Sequence, residues 1–238
     1  MDLNQFERLL FDQKLTLTER QREQFEGYYQ LLVEWNKKIN LTALTGREEV
    51  FLKHFYDSLS PAFYFNFEKI SRVADIGSGA GFPGLPLKIC FPHLQLTIID
   101  ALKKRILFLE HLVDRLNLKG VTLLHDRAET AGHKPEHRQQ YDLVLARAVA
   151  QLPVLAELCL PFAKVGGSFI AMKGSKGLAE VEQSKRALAT LGGALEVVHR
   201  FELPEDAGQR QLIVIRKEKP TPKKYPRQPG LPAKKPLG

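Results

Sequence analysis

Cysteine is scarce: the 238 residues hold two, Cys90 and Cys159, each inside an apolar, periodic stretch. There is no CxxC and no Cys/His cluster. That excludes a zinc finger, a disulfide framework and a redox dithiol, and no metal site is expected. So few thiols fit a reducing compartment. Long apolar runs are also missing. No window approaches the ~18 consecutive apolar residues that a membrane span needs. The segment Met1 to Leu10 carries charges and lacks the apolar core of a signal peptide. The expected location is the cytoplasm, without membrane contact. Internal repeats are absent, which excludes solenoids and propellers. Hydrophobic residues at 44% and charged residues at 26% describe a globular chain, not a disordered one.

The net charge of +8 is unevenly placed. Residues 216–238 contain eight Lys/Arg (Arg216, Lys217, Lys219, Lys223, Lys224, Arg227, Lys234, Lys235) and one acid, Glu218, so this segment carries nearly all the excess. Pro220, Pro222, Pro226, Pro229, Pro232 and Pro236 are interspersed. This composition predicts an extended or disordered tail, residues 217–238. Its charge points to a polyanionic partner, nucleic acid first. A solubilising tail without a partner is the other reading.

Two further zones precede the tail. Residues 1–65 read as an N-terminal helical extension. Phe25, Tyr28, Tyr29, Leu32 and Trp35 recur at spacings of three and four and form one apolar helix face. A second apolar segment runs from Val50 to Phe65, interrupted by Pro61. Residues 66–216 alternate strand and helix. Strand-like runs are Arg72–Ile76, Leu96–Asp100, Val121–His125, Leu143–Ala146 and Ser168–Met172. Helical patterns lie between and after them: Leu85–Cys90, Lys104–Leu116, Leu152–Leu160 and Leu178–Leu191. Alternation predicts an α/β, Rossmann-like, mostly parallel sheet. Two last β-rich runs, Ala194–Leu203 and Gln211–Arg216, are joined by Pro204–Gln209. That link is too short for a crossover helix, so the final strand is antiparallel.

The central motif is Asp75-Ile76-Gly77-Ser78-Gly79-Ala80-Gly81-Phe82-Pro83-Gly84, between the first strand and the first helix of this unit. Its glycines allow a tight turn and close backbone approach to a ligand. Asp100 ends the second strand, 23 residues after Gly77, where a carboxylate can accept both ribose hydroxyls of an adenosine ligand. Gly79, Gly81 and Gly84 formally match the dinucleotide fingerprint GxGxxG. Register opposes that reading, because counting from Gly77 the sixth position is Phe82. Asp75 would also repel a pyrophosphate, but it suits a cationic end such as an amino acid ammonium. S-adenosylmethionine carries that ammonium and NAD does not, so a methyl donor is the expected ligand.

The third strand ends in His125-Asp126-Arg127-Ala128-Glu129, a turn that in this fold borders the adenine. Arg147 follows the fourth strand and is the lone charged residue between Asp142 and Glu157. Lys173-Gly174-Ser175-Lys176-Gly177 after the fifth strand is either a basic loop for RNA phosphates, through Lys173 and Lys176, or a solvated connection. Ala146-Arg147-Ala148-Val149-Ala150 lacks the Asn/Asp-Pro-Pro-aromatic motif of exocyclic-amine methylation. Neither cysteine lies where a pyrimidine C5 nucleophile would. An acceptor with its own lone pair remains, and guanine N7 is one. Catalysis would then rest on alignment, and no catalytic acid or base is assigned.

Several motifs together resemble a known family: Trp35-Asn36-Lys37-Lys38-Ile39-Asn40-Leu41-Thr42-Ala43, His54-Phe55-Tyr56-Asp57-Ser58-Leu59, the Asp75–Gly84 loop through Pro86-Leu87-Lys88-Ile89, and Arg147-Ala148. Up to about Arg216 the chain looks like the bacterial small-subunit ribosomal RNA guanine-N7 methyltransferases, the glucose-inhibited division protein B family. The resemblance implies S-adenosylmethionine as donor and one guanosine in a decoding-centre loop of 16S rRNA as acceptor. The partner is 16S rRNA or the small ribosomal subunit. Carried over by residue, cofactor contacts fall on Gly77, Phe82, Ala128, Glu129 and Arg147, and the fold argument adds Gly79 and Asp100. The Pro/Lys tail is less typical of the family. His54 and Asp57 match a family motif without an assigned role, and a buried hydrogen-bonded pair is their plain reading. No large exposed apolar stripe compels a dimer, so a monomer is expected. The competing readings are a non-catalytic RNA-binding or ribosome-assembly protein, an NAD-dependent oxidoreductase, and a methyltransferase acting on a small molecule or protein.

Overall fold

The computed structural model describes residues 2–175 and 177–237. Helix α1 (Leu3–Asp12) and helix α2 (Glu19–Ile39) both open on reciprocal caps, Asp2 with Gln5 and Thr18 with Gln21. A continuous helical stretch follows: α3 (Arg47–Glu49), a π-helical segment Val50–Tyr56, α4 (Asp57–Leu59) and a 3-10 turn Ser60–Phe63. Pro61 sits near the start of that 3-10 turn, where its missing N–H leaves no bond unmade. The π-helical segment has no sequence signal. It carries His54, and Asp57 follows it directly.

Next comes β1 (Arg72–Ile76), α5 (Gly84–Cys90), β2 (Gln95–Asp100), α6 (Lys103–Arg115), β3 (Val121–His125), α7 (Ala128–Ala131), β4 (Tyr141–Arg147), α8 (Leu152–Cys159), β5 (Ala163–Lys173), α9 (Gly177–Leu191), β6 (Gly193–Glu202) and β7 (Gln209–Lys217). The seven strands form one sheet in the order β3-β2-β1-β4-β5-β7-β6. Pairings from β3 through β5 are parallel, and β7 is antiparallel to both β5 and β6. Strand order reverses between β1 and β4, which opens a crevice at their carboxyl ends. No helix among the described residues is long and apolar enough to cross a membrane.

Helix α2 is docked by polar stitches as well as by its apolar stripe. Phe25, Tyr28 and Leu32 are buried, while Tyr29 and Trp35 are half-buried. Gln21 Nε2 donates to Ile89 O at 2.8 Å, and Gln24 Nε2 donates to Leu116 O at 2.9 Å. Both acceptors lie at the carboxyl ends of α5 and α6, where helix carbonyls lack intrahelical partners. The N-terminal helices thus share one apolar core with α5, α6 and one sheet face.

The tail expectation needs correction. Residues 218–237 are not a free arm: Thr221, Tyr225, Pro226 and Pro232 are buried, and Tyr225 joins the core beneath α8. Arg227 grips Glu157 of α8, with Nε at 2.9 Å from Oε1 and Nη2 at 2.6 Å from Oε2. Glu157 is fully buried. A short helix, α10 (Leu231–Lys234), ends the segment. Pro226, Pro232 and one aromatic turn inward, while Lys219, Lys223, Lys224, Lys234 and Lys235 stay exposed. Composition missed the docking because the anchors, Glu157 and Arg138, lie far away in sequence.

A test follows from the buried carboxylate. Arg227→Ala leaves Glu157 without its counter-ion in the interior, at a cost of about 3 kcal/mol. Urea unfolding of the variant measures it, and an unchanged stability would mean that the segment is undocked in solution.

Candidate functional site

The glycine loop after β1 forms one wall of a cavity of about 430 Å³ at the crevice. Gly77, Gly79, Phe82, Asp100 and Arg147 all line it, drawn from the ends of β1, β2 and β4. Two positions show why the loop needs glycine. Gly79 has φ of +64°, and a Cβ there would meet nothing within 4 Å, so it faces open space. At Gly81, with φ of +102°, a Cβ would lie 2.5 Å from the Tyr28 hydroxyl oxygen. That hydroxyl donates to Ala80 O at 2.6 Å, and the Tyr28 ring stacks on Phe82 with centroids 5.4 Å apart. The N-terminal helical layer therefore holds the loop from behind.

Asp100 is nearly fully buried. Its Oδ2 accepts from Gly79 N–H at 3.1 Å and from Arg105 at 3.2 Å, and Oδ1 accepts from Leu102 N–H. The carboxylate is thereby fixed at the end of β2 with acceptor capacity to spare. Asp75 behaves otherwise than expected. It does not line the cavity but is fully buried behind the loop, where Oδ2 accepts from Gly84 N–H at 2.8 Å. Oδ1 has no hydrogen-bond partner, and burial pushes the carboxyl up to about 6. Its role is to brace the loop.

Ala128 and Glu129 are not among the cavity-lining residues. They sit at the start of α7, one strand beyond Asp100, where Asp126 N–H donates to Asp100 O.

Arg147 joins this cavity to a second one of about 320 Å³, which is lined also by Asp57, Lys173 and Arg210. Its Nη1 lies 3.0 Å from Asp57 Oδ2, and its guanidinium stands over the Phe82 ring at 5.0 Å. Asp57 Oδ1 is 3.2 Å from Arg210 Nε. His54 and Asp57 do not pair with each other, as the plain reading had it. Each instead meets Arg147: His54 Nδ1 accepts from Arg147 Nη2 at 3.3 Å. With Nδ1 accepting, the ring proton is on Nε2, which donates to Thr42 Oγ1 at 2.8 Å. Burial and the adjacent Arg147 hold the imidazole pKa down at about 3, so the ring is neutral at any working pH.

Lys173 lines the second cavity, but its ammonium is committed to Glu180 at 2.8 Å and to Ala150 O at 2.6 Å. It is not a free phosphate contact. Lys176 lies outside the described residues. Arg210 was missed by the sequence reading, since nothing local to β7 marks it.

The family model described as rRNA small subunit methyltransferase G matches residues 21–213. Over 237 residues the chain is 57% identical to the ribosomal RNA small subunit methyltransferase G of Halalkalibacterium halodurans, covering 100% of both chains. It is 54% identical over 237 residues to the protein of that name from Bacillus cytotoxicus, covering 100% of this chain and 99% of the relative. These matches include the C-terminal segment, which the family model does not reach. Among solved structures, a putative O-methyltransferase from Klebsiella pneumoniae superposes with a TM-score of 0.56 at 11% identity, covering 90% of this chain and 96% of that one. At that identity the likeness concerns the fold alone.

Two outcomes are expected. Gly79→Asp puts a charged side chain into the open cavity at a left-handed position that Asp tolerates for about 1 kcal/mol. The variant keeps its fold, and calorimetric titration with S-adenosylmethionine shows no saturable binding; full affinity would overturn the placement. The second concerns pH. The folded-state value of Asp75, about 6, lies above its ordinary 3.8, so its stability penalty is absent below pH 3.8 and complete above 6. Asp75→Asn therefore gains on the parent by on the order of 3 kcal/mol as pH rises through that window. Parallel unfolding curves at pH 4 to 7 read the difference.

Proposed function

Because the chain belongs to the rRNA small subunit methyltransferase G family, we propose that it methylates N7 of one guanosine in the decoding-centre loop of 16S rRNA. It is a methyltransferase, and its methyl donor is S-adenosylmethionine. The observation that carries the finer reading is the pair of adjoining cavities that share His54, Arg147 and Ala148. The larger takes the donor, and the smaller takes the base.

The residues of the larger cavity fit the donor. Asp100 offers a fixed carboxylate for ribose hydroxyls, and the open face of Gly79 leaves room where a Cβ would intrude. Ala128 and Glu129 border the adenine. When bound, the donor supplies a methyl group on a cationic sulfonium. Arg147 presents its charge at the same place, but Asp57, which it shares with Arg210, offsets it in part and His54 adds none. The site thus limits its own positive charge where the donor already carries one.

In the smaller cavity, Asp57 keeps unused lone pairs beside Arg147 and Arg210. A carboxylate recognises the N1–H and exocyclic N–H donors of guanine. That edge lies opposite N7, so N7 stays free. Its in-plane lone pair needs no base to expose it, and the task of the protein is alignment and exclusion of water. The partner is 16S rRNA, free or in the small subunit, and the exposed lysines of the C-terminal segment extend a basic surface toward it. We place the protein in the cytoplasm as a monomer.

Incubation of 16S rRNA and of small subunits with labelled donor, followed by nucleoside mass spectrometry, tests this directly. Label in 7-methylguanosine is expected; label only at another atom would falsify the choice of N7. Arg210→Ala separates the cavities. It is expected to lower kcat/KM for RNA at least tenfold, about 1.4 kcal/mol or more, with donor Kd changed by less than about threefold. An equal loss in both would refute the assignment of two seats.

A further inference from the structure

We infer that the C-terminal segment is a positioning strap for the donor site, acting on the turn Ala128–Gly132 through Glu129. The inference rests on the donor placement proposed above, in which that turn borders the adenine. Gly230 N–H donates to Glu129 Oε1 at 2.8 Å, and Glu129 is 8% exposed. Four residues on, His133 Nε2 lies 2.7 Å from Pro226 O. The Arg138 guanidinium then gathers Gly132 O at 2.8 Å together with Tyr225 O at 2.9 Å and Thr221 O at 2.8 Å. With Pro222 O at 3.2 Å as well, one cation thus ties the carbonyl that ends the turn to three carbonyls of the strap. The closeness is steric too: a Cβ on Gly132 would lie 3.1 Å from Pro226 Cγ.

The turn needs such support. Helix α7 has four residues, too few to hold a helical turn on their own. Its backbone is ordered by what touches it, and the strap supplies a bond at its beginning and others at its end. The strap itself cannot drift, because Arg227 is fastened to the buried Glu157 on the far side. A turn ordered before the ligand arrives spares binding the entropy of ordering it. The Glu129 carboxylate is therefore the handle by which the strap holds the turn, and the ligand meets the main chain.

The test uses the full chain, a chain ending at residue 228, Glu129→Ala, Glu129→Gln, and Glu129→Ala in the shortened chain. Each is titrated with S-adenosylmethionine and melted. The shortened chain keeps Arg227 and loses the Gly230 donor. The expectation is a donor Kd raised about tenfold in the shortened chain and in Glu129→Ala alike, with the double variant no weaker than either, since both remove one bond. Glu129→Gln, whose Oε1 still accepts from Gly230, restores most of the affinity lost in Glu129→Ala. A merely structural role predicts that affinity follows melting temperature, with no rescue by Gln. A folded shortened chain with unchanged donor Kd overturns the strap, as does a Glu129→Gln loss equal to that of Glu129→Ala, which would mean that the carboxylate itself meets the ligand. If the shortened chain does not fold, the two full-length Glu129 variants decide by the same rescue. Gly79→Asp separates the two readings. Lost binding there beside an unaffected shortened chain sinks the strap alone, whereas a full chain that binds no donor sinks the placement with it.

Discussion

The hydroxyl of Tyr28, fully buried, donates to the carbonyl of Ala80 in the middle of the glycine loop. Much else depends on that bond. A loop whose glycines take positive φ has many competing conformations, and an unpartnered buried carbonyl would favour those that expose it. Tyr28 removes the choice: its oxygen satisfies Ala80, its ring stacks on Phe82, and its position requires Gly81 to lack a side chain. Behind it, the amides of Gln21 and Gln24 lock α2 onto the ends of α5 and α6. The N-terminal helices are thus the back wall of the cavity, and the shape of the glycine loop is not a property of the sheet alone.

From Phe82 the same chain of contacts runs forward. Its ring is covered by His54 at 4.6 Å on centroids and by the guanidinium of Arg147. Arg147 is nearly buried, with a side chain 13% exposed, and so is Asp57 at 7%. A half-made pair at that depth would be costly, which is why the site completes it with Arg210 and with backbone carbonyls of Lys53 and His54. His54, in the π-helical segment, and Asp57, three residues on in α4, share one face of the helical stretch and both meet that guanidinium.

The sequence made the sheet legible because strand ends and glycines are local signals. Gly79 and Asp100 follow from those signals, Gly77, Phe82 and Arg147 from the family resemblance, and all five meet in one cavity. What escaped depends on distant partners. Arg210 lies on the antiparallel strand β7, and register with β5 sets Gln211 opposite Lys173, which brings its neighbour to Asp57 across the sheet. No spacing rule predicts that. Asp75 belongs to the motif, but its side chain points away from the cavity, because a carboxylate at the fourth position of a strand can face the crevice or the core. The C-terminal segment misled through composition. Proline and lysine content describes what a segment cannot bury alone, and says nothing about carbonyls that an arginine elsewhere is waiting to collect.

The shared position of Arg147 has a consequence for binding. Its guanidinium touches both cavities, with Nη1 shared among Asp57 and the carbonyls of Lys53 and His54, and Nη2 on the His54 ring. A base that draws on Asp57 would share that carboxylate with Arg147, and any shift of Arg147 would change the wall seen by the donor. Coupling of this kind is reciprocal: whatever the donor does to base affinity, the base does to donor affinity. In the proposed arrangement the strap at Glu129 acts on a turn outside the cavity lining, one strand beyond Asp100, against residues that share no partner with Arg147. The adenine end can then be held rigid by one part of the chain while the methyl end stays adjustable to the acceptor. If alignment carries the proposed methyl transfer, it requires that division, since the donor must be anchored somewhere before its methyl group can be aimed.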